Sequence, residues 1–323
     1  MSELLPRLAT APQRRWILAL SGGGYRGLFT AQFLARLEEE IGRPLHSVFD
    51  LIAGTSIGSI LALGLGKGVP ASELVDFFTR EGTSIFPAAT LLRSARRLLR
   101  AKYSSQALSD ALETALVRAT FESLKTHVIV PAVNLTDSGP VVFRTRNGAL
   151  PASTVPLHDA ALASSAAPTY FPPHLIGTQP YVDGGLIANS PDSLAVVEAT
   201  AVLGWRLDSL HLLSVGTTFV ESGLAAIPKP EKWGFLRWGW SLQLLEQMMT
   251  AQAKLSRDSA RLSLGSRFVG IDAVRGASQD RVIALDCATA AATQTLINMA
   301  NVAWERTREK DSQALQALKL HRR

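Results

Sequence analysis

The sequence predicts an α/β protein with a mostly parallel central sheet that is flanked by helices. Short apolar runs of strand length alternate with segments of helical periodicity along the 323 residues. Two of these runs are each followed by a glycine-rich turn and a helix, and two more, at 128–133 and 211–215, are apolar enough to be buried strands. Strands that are joined through helices favour parallel pairing, so we expect a mostly parallel sheet.

The first strand-turn-helix unit begins with the apolar run 16–20. Its turn, at 21–27, places Gly22, Gly24 and Gly27 in the spacing Gly-x-Gly-x-x-Gly, and apolar residues then recur at helical spacing. The turn has two interpretations. Its backbone amides could hold the pyrophosphate of a dinucleotide, or they could form an oxyanion hole for acyl transfer.

The second unit, at 49–66, contains the best candidate for a catalytic residue. An apolar strand leads into Gly54-Thr55-Ser56-Ile57-Gly58 and then into an apolar helix, which is the context of a strained serine nucleophile. Gly54 and Gly58 allow close approach of the backbone around Ser56. An ordinary turn between a strand and a helix would also fit this pattern. We take Ser56 as the candidate nucleophile.

The surroundings of the two turns distinguish nucleotide binding from acyl transfer. A dinucleotide site calls for an acidic residue about 20 positions after the glycines, at the end of the second strand. Asp50 is the nearest candidate, but it precedes its strand, and the strand leads to Ser56 instead. A phosphate-binding Gly-x-x-x-x-Gly-Lys-Ser/Thr loop is absent from the sequence. An acyl-transfer site therefore explains both turns together.

The general base has candidates of two kinds. A histidine late in the chain would fit the usual hydrolase order, but His211 lies in an apolar run and His321 lies in the basic C-terminal tail. An aspartate can replace histidine if its carboxylate is close to the serine and partly desolvated. Asp183, in Tyr-Val-Asp-Gly-Gly at 181–185, is the best such candidate, although this motif also suits a plain turn.

Four blocks in this order resemble the patatin-like phospholipases, which are lipid acyl hydrolases. The blocks are the glycine loop at 21–27, the nucleophile turn at 54–58, Ala-Ser-Ser-Ala-Ala-Pro at 163–168, and Asp-Gly-Gly at 183–185. The loop begins with Ser21, where many members have aspartate. The resemblance implies a three-layer α/β/α fold and a Ser-Asp dyad that requires no metal and no cofactor.

The resemblance also implies a role for each matching residue. Ser56 would be the nucleophile and Asp183 the base, with membrane phospholipid as the substrate. The other residues would shape the oxyanion loop, the nucleophile turn and the Asp-Gly-Gly block: Gly22, Gly23, Gly24, Arg26 and Gly27; Gly54 and Gly58; Gly184 and Gly185.

The resemblance divides the chain into two parts. Residues 14–218 form the predicted catalytic domain, and residues 219–323 form a C-terminal helical extension that packs on the core as a regulatory or membrane-contacting region. The helix-like end at 289–320 has an apolar stripe, which could dock on the core or join subunits of a homo-oligomer.

Composition limits the classes of function. The chain has a net charge of +6, which favours anionic lipid or phosphate-bearing ligands, but no motif indicates nucleic acid as a substrate. Its single cysteine excludes an internal disulfide and fits a reducing compartment. The apolar stretches are too short to span a bilayer, and no secretion signal is evident. We expect a cytoplasmic protein that associates peripherally with the inner face of the membrane.

Two stretches interrupt the regular alternation. Residues 84–102 place arginines and leucines on different faces of a helix, which suits either anionic membrane or an ordinary surface helix. Residues 228–249 combine three tryptophans and a phenylalanine with lysines and an arginine, which suits a membrane surface, a nucleotide pocket or a core helix.

Within the family, the chain looks similar to bacterial phospholipases of antiphage defence that a cyclic oligonucleotide activates. We therefore expect a cyclic di- or trinucleotide as activator. Two other classes remain open at this point. A catalytically silent module that binds membrane or nucleotide would have no turnover to lose in Ser56→Ala, and a nicotinamide-dependent oxidoreductase would bind its cofactor saturably.

Overall fold

The computed structural model describes most of the chain. The predicted membrane or nucleotide contacts within 88–100 and 228–242 lie outside the described residues. No helix in the described part is long and apolar enough to cross a membrane. The described residues are 13–87, 101–116, 119–146, 152–219, 243–276, 279 and 282–322.

The strands of the described residues form one sheet. They are, in chain order, β1 (Arg15–Leu20), β2 (Leu51–Gly54), β3 (His127–Asn134), β4 (Gly139–Arg144), β5 (His174–Ile176), β6 (Gln179–Asp183), β7 (Leu210–Val215) and β8 (Phe268–Ile271). The sheet order is β5-β6-β3-β2-β1-β7-β8, and β4 also pairs with β3. The pairs β8-β7, β7-β1, β1-β2 and β2-β3 are parallel, whereas β4, β5 and β6 add antiparallel pairs.

The helices cover both faces of this sheet. They are α1 (Gly27–Ile41), α2 (Ile57–Lys67), α3 (Ala71–Ile85), α4 (Gln106–Leu116), α5 (Leu157–Ser165), α6 (Gly185–Ala188), α7 (Asp192–Val197), α8 (Gln243–Leu264), α9 (Ala290–Lys310) and α10 (Ser312–Leu320). The helix-like end predicted at 289–320 is thus two helices, because the chain turns at Asp311.

The side chains of β1 alternate between the two faces of the sheet, and the hydrophobic core is divided between these faces in the same way. Trp16, Leu18 and Leu20 pack on one face with residues of α1, α2, α3, α4, α5 and α9. Ile17 and Ala19 point to the other face, where they pack with residues of α7 and α8. Successive side chains of a strand point to opposite faces, so this pattern places the sheet between two helical layers. The predicted α/β fold with a mostly parallel sheet and three layers is confirmed.

Part of the chain after residue 219 completes the same sheet. β8 extends the sheet by pairing with β7 in parallel. α9 packs on α1, where the rings of Trp304 and Phe33 meet edge to face with their centroids 5.6 Å apart. This part of the chain therefore contributes to the sheet and core that hold the N-terminal strands.

Candidate active site

The pairing around β3 explains how distant residues meet. A strand has two edges, and β4 occupies one edge of β3 from Ile129 to Asn134. β2 and β6 therefore share the other edge, where β2 pairs with the start of β3 in parallel and β6 pairs with its end in the antiparallel direction. Their carboxyl ends consequently face each other across the middle of β3. Ser56 follows β2 by two residues and Asp183 ends β6, so the topology brings them together.

Ser56 lies on a strained turn between β2 and α2. Its backbone has φ 54° and ψ −125°, a combination that residues with side chains rarely adopt. The residue precedes the first turn of α2, where the helix dipole favours negative charge on an oxygen. Ser56 is 9% exposed. These features suit a serine whose hydroxyl must be presented to a substrate.

The side chains of Ser56 and Asp183 form a direct hydrogen bond. Ser56 Oγ donates to Asp183 Oδ2 at 2.6 Å, and the second carboxylate oxygen accepts the N–H of Gly185 at 2.6 Å. Asp183 is only 1% exposed. Burial raises the pKa of Asp183 from its ordinary value of 3.8 to about 6, although the bonds from Ser56 and Gly185 act in the opposite direction. A carboxylate with this pKa can accept a proton near neutral pH.

Ser164, from the Ala-Ser-Ser-Ala-Ala-Pro block, holds the strained turn in place. Its hydroxyl accepts the N–H of Ser56 at 3.0 Å and donates to the carbonyl of Pro131 at 2.7 Å. Its own carbonyl accepts the N–H of Gly184 at 3.3 Å. A single residue thus fixes the backbone beside both Ser56 and Asp183.

The glycine loop lies against Ser56. A Cβ atom added at Gly22 would stand 3.3 Å from Ser56 Cβ and 2.4 Å from Asn189 Oδ1. Gly24 has φ +57°, and an added Cβ there would stand 2.1 Å from the carbonyl oxygen of Leu285. These contacts leave no space for side chains, so the glycines allow the loop to pass beside Ser56.

The glycine loop was predicted to offer its backbone N–H groups as an oxyanion hole, but not all of these groups are available. The N–H of Gly22 donates to the carbonyl of Asn189 at 2.8 Å and is therefore already occupied. Within the described part of the chain, the N–H groups of Gly23 and Gly24 have no acceptor. We therefore take the N–H groups of Gly23 and Gly24 as the candidate oxyanion donors. The N–H of Gly22 holds the loop in place instead.

Further contacts hold the loop in this position. The carbonyl of Gly22 accepts Thr217 Oγ1 at 2.9 Å. The carbonyl of Gly23 accepts the backbone N–H of Arg26 at 3.2 Å and its Nε at 3.4 Å. Arg26 thus turns the loop back on itself before α1 begins at Gly27.

The glycines of the nucleophile turn and of the Asp-Gly-Gly block make close contacts beside Ser56 and Asp183. Gly54 and Gly58 pack against each other, since an added Cβ at Gly54 would stand 2.1 Å from the carbonyl oxygen of Gly58. Gly184 lies against the carbonyl of Pro131, and Gly185 lies beside Met249 of α8.

The two late histidines lie at the opposite end of the sheet. His211 stacks on Trp16 near the start of β1, with ring centroids 4.8 Å apart, and burial lowers its pKa to about 4. His321 Nε2 lies 3.0 Å from an oxygen of Asp50, directly before β2. Ser56 lies beyond the other end of β2, which spans roughly 13 Å. Neither histidine is placed to act on Ser56.

Some supporting residues were not predicted from the sequence. Asn189 and Thr217 bind the glycine loop, and Gln252 of α8 binds the backbone around Asn189. Asn189 follows the Asp-Gly-Gly block closely, which is the only local signal for its role. Gln252 had no local signal because its partners lie more than 60 positions away in the chain.

Comparison with known proteins shows the family of this chain. The model of the patatin-like phospholipase family matches residues 18–196. The chain is 37% identical over 300 residues to a cGAMP-activated phospholipase of Pseudomonas aeruginosa, with 90% of this chain and 88% of that protein covered. It is 37% identical over 291 residues to a cGAMP-activated phospholipase of Vibrio cholerae, with 79% and 81% covered. A cGAMP-activated phospholipase of Escherichia coli is 36% identical over 267 residues, with 75% and 74% covered.

The family match spans more than half of the chain and includes the glycine loop, Ser56 and Asp183. The resemblance inferred from the four blocks is confirmed. This chain belongs to the patatin-like phospholipase family of ester-hydrolysing lipid acyl hydrolases.

Proposed function

We propose that the chain cleaves acyl esters of membrane phospholipids at the membrane surface through a dyad of Ser56 and Asp183. The observation that carries this proposal is the 2.6 Å hydrogen bond from Ser56 Oγ to the buried carboxylate of Asp183. The strained backbone of Ser56 and the adjacent glycine loop give further support.

The first half of the reaction forms an acyl-enzyme. Ser56 Oγ attacks the ester carbonyl carbon while its proton passes to Asp183. The carbonyl oxygen becomes an oxyanion, which the amides of Gly23 and Gly24 stabilise. One oxyanion donor of this kind is typically worth about 3 kcal/mol of transition-state stabilisation. The intermediate then collapses, and the departing lysolipid oxygen takes the proton from Asp183.

The second half releases the fatty acid. Asp183 is again a carboxylate and accepts a proton from water, which attacks the acyl carbon held on Ser56. A second oxyanion forms in the same place, and its collapse returns the proton to Ser56 Oγ. Nucleophile, base and amide donors all come from the chain, so the reaction requires no metal and no cofactor.

We also propose that a cyclic di- or trinucleotide activates the enzyme in antiphage defence. The similarity to cGAMP-activated phospholipases over most of this chain supports this, and cGAMP is the first candidate. The net charge of +6 suits a phosphate-bearing ligand and an anionic membrane surface.

The test is fatty-acid release from mixed phospholipid vesicles, with and without a panel of cyclic di- and trinucleotides that includes cGAMP. Ser56→Ala should lower release by about 10⁴-fold or more, because the nucleophile is lost. The matched control Ser263→Ala removes an exposed hydroxyl of α8 and should release fatty acid like the wild type.

The outcomes separate the components of the proposal. If fatty-acid release required one cyclic nucleotide, the proposed activation and defence role would be supported. Equal release with and without cyclic nucleotides would contradict them. Equal release by wild type and Ser56→Ala would contradict the nucleophile. Vesicle binding without any release, under every condition, would favour a non-catalytic membrane-binding module instead.

A further inference from the structure

Gln252, on α8, binds the backbone that follows Asp183. Its Nε2 donates to the carbonyl of Ile187 at 2.7 Å, and its Oε1 accepts the N–H of Asn189 at 2.9 Å. The side chain therefore uses both ends of its amide to hold a three-residue segment. α8 lies outside the segment 18–196 that the family model matches.

The same segment holds the glycine loop. The carbonyl of Asn189 accepts the N–H of Gly22 at 2.8 Å. Gly22 directly precedes Gly23, whose amide is a proposed oxyanion donor. A continuous series of hydrogen bonds thus runs from Gln252 through Asn189 to the oxyanion loop.

A second contact one helical turn further along α8 reinforces the first. Ser256 Oγ donates to the carbonyl of Ser190 at 2.7 Å and accepts the N–H of Ser193 at 3.1 Å. The hydroxyl of Ser190 in turn lies 2.9 Å from the hydroxyl of Ser21, which begins the glycine loop. Residues 252 and 256 are four positions apart and lie on one face of the helix.

The charged side chain of Arg257 contacts the start of the glycine loop. Its Nη1 donates to Asp272 at 2.8 Å, and its Nη2 approaches Ser21 Oγ at 3.4 Å. Burial by itself lowers the pKa of this guanidinium, but nearby Asp272 and Asp192 raise it above its ordinary value. Arg257 is therefore positively charged, and its side chain links Asp272 to Ser21 at the start of the glycine loop.

We infer that Gln252 is a positioning residue that sets the oxyanion loop for catalysis. This inference rests on the proposed function, because it needs the amides of Gly23 and Gly24 to stabilise the transition state. Gln252 touches neither Ser56 nor the reacting ester. Its loss displaces the amide donors while the dyad itself keeps its contacts.

The test compares three variants in the full chain. Gln252→Met keeps the length of the side chain and removes both hydrogen bonds. Gln252→Glu keeps the acceptor for Asn189 N–H and removes the donor to Ile187. Gln247→Met, the matched control, makes the same replacement at an exposed position of the same helix.

The expected result for Gln252→Met is a fall in kcat of about 10- to 100-fold with little change in KM, since misplacement of a catalytic group by about 1 Å has an effect of this size. Affinity for a long-chain trifluoromethyl ketone, which forms a hemiketal oxyanion on Ser56, should fall in parallel. The midpoint of the pH–rate profile should stay near that of the wild type. The kcat and the ketone affinity of Gln252→Glu should lie between those of Gln252→Met and the wild type. Gln247→Met should match the wild type in both quantities.

Three results would overturn the inference. The first is a kcat for Gln252→Met that equals the kcat of Gln247→Met. The second is a lower kcat with an unchanged affinity for the ketone. The third is a shift in the midpoint of the pH–rate profile that is large enough to account for the whole loss of activity. The last result would mean that Gln252 acts through Asp183. A wild type without turnover would instead refute the proposed function, and the inference with it.

Discussion

At the scale of single residues, the buried carboxylate of Asp183 lowers the stability of the folded protein near neutral pH. Its carboxylate is almost fully buried and receives two hydrogen bonds, yet burial holds its pKa at about 6 instead of 3.8. An acid whose pKa is raised by folding binds its proton more tightly in the folded state. Its contribution to stability therefore falls as the pH rises from about 4 to about 6 and stays low above that range. From the two pKa values, the ionised carboxylate destabilises the folded protein by roughly 3 kcal/mol at pH 8.

Asp183→Asn should therefore stabilise the protein while it abolishes turnover. Asparagine has nearly the same shape and remains neutral, so Tm should rise by about 4 °C at pH 8. At pH 4 the wild-type side chain is already protonated, and the two proteins should melt within about 1 °C of each other. Thermal melts at both pH values check this. Equal Tm values at pH 8 would mean that burial does not raise the pKa of Asp183.

At the scale of elements, the turn between β2 and α2 depends on contact between backbones. A Cβ added at Gly58 would stand 2.3 Å from the carbonyl oxygen of Leu20, at the end of β1. Backbone atoms of a central strand cannot move away without breaking the parallel pairs of the sheet. The nucleophile turn and the glycine loop are therefore packed directly on each other.

Gly58→Ala should consequently destabilise the protein by about 2 kcal/mol or more and lower kcat strongly. Gly276→Ala is the control, because the nearest atom to an added Cβ there, among the described residues, belongs to the flexible side chain of Gln279 and lies 3.8 Å away. Urea unfolding and turnover measure the two effects. If Gly58→Ala behaved like Gly276→Ala, the close contact with Leu20 would not be part of the folded protein.

Some elements of the candidate site were predictable from the sequence, and others were not. The strand-turn-helix units were predictable because apolar strands, glycines and helical periodicity are local signals. The shared edge of β3 was not predictable, since it depends on pairing between distant strands; Asp183 alone looked like a turn residue. The occupied amide of Gly22 and the role of Gln252 likewise depend on partners far along the chain.

At the scale of the whole molecule, the end of the chain is fastened to the sheet far from the dyad. His321 and Arg15 both contact the buried carboxylate of Asp50, which also accepts the N–H of Trp16. Burial by itself raises the pKa of Asp50, but the bonds from His321, Trp16 and Arg15 outweigh it and hold the pKa below 3.8. The stabilisation from this carboxylate is therefore present above pH 4 and is lost as the pH falls through the lowered pKa.

His321→Ala should destabilise the protein by about 1–3 kcal/mol at pH 7, because a buried carboxylate loses one of its partners. Turnover at a temperature well below Tm should remain within about twofold of the wild type, since Asp50 and Ser56 lie at opposite ends of β2. Denaturant unfolding and a vesicle assay check the two statements. A large loss of kcat in a folded His321→Ala protein would contradict this separation.

The most direct test of the Ser56–Asp183 dyad is covalent labelling by a fluorophosphonate, followed by peptide mass spectrometry, across pH 4 to 9 and with and without cGAMP. We predict a single label on Ser56, a labelling rate that rises with pH through a midpoint near 6, and labelling slowed by at least about 100-fold in Asp183→Asn. A label on another serine, or equal labelling rates in the wild type and Asp183→Asn, would contradict the dyad.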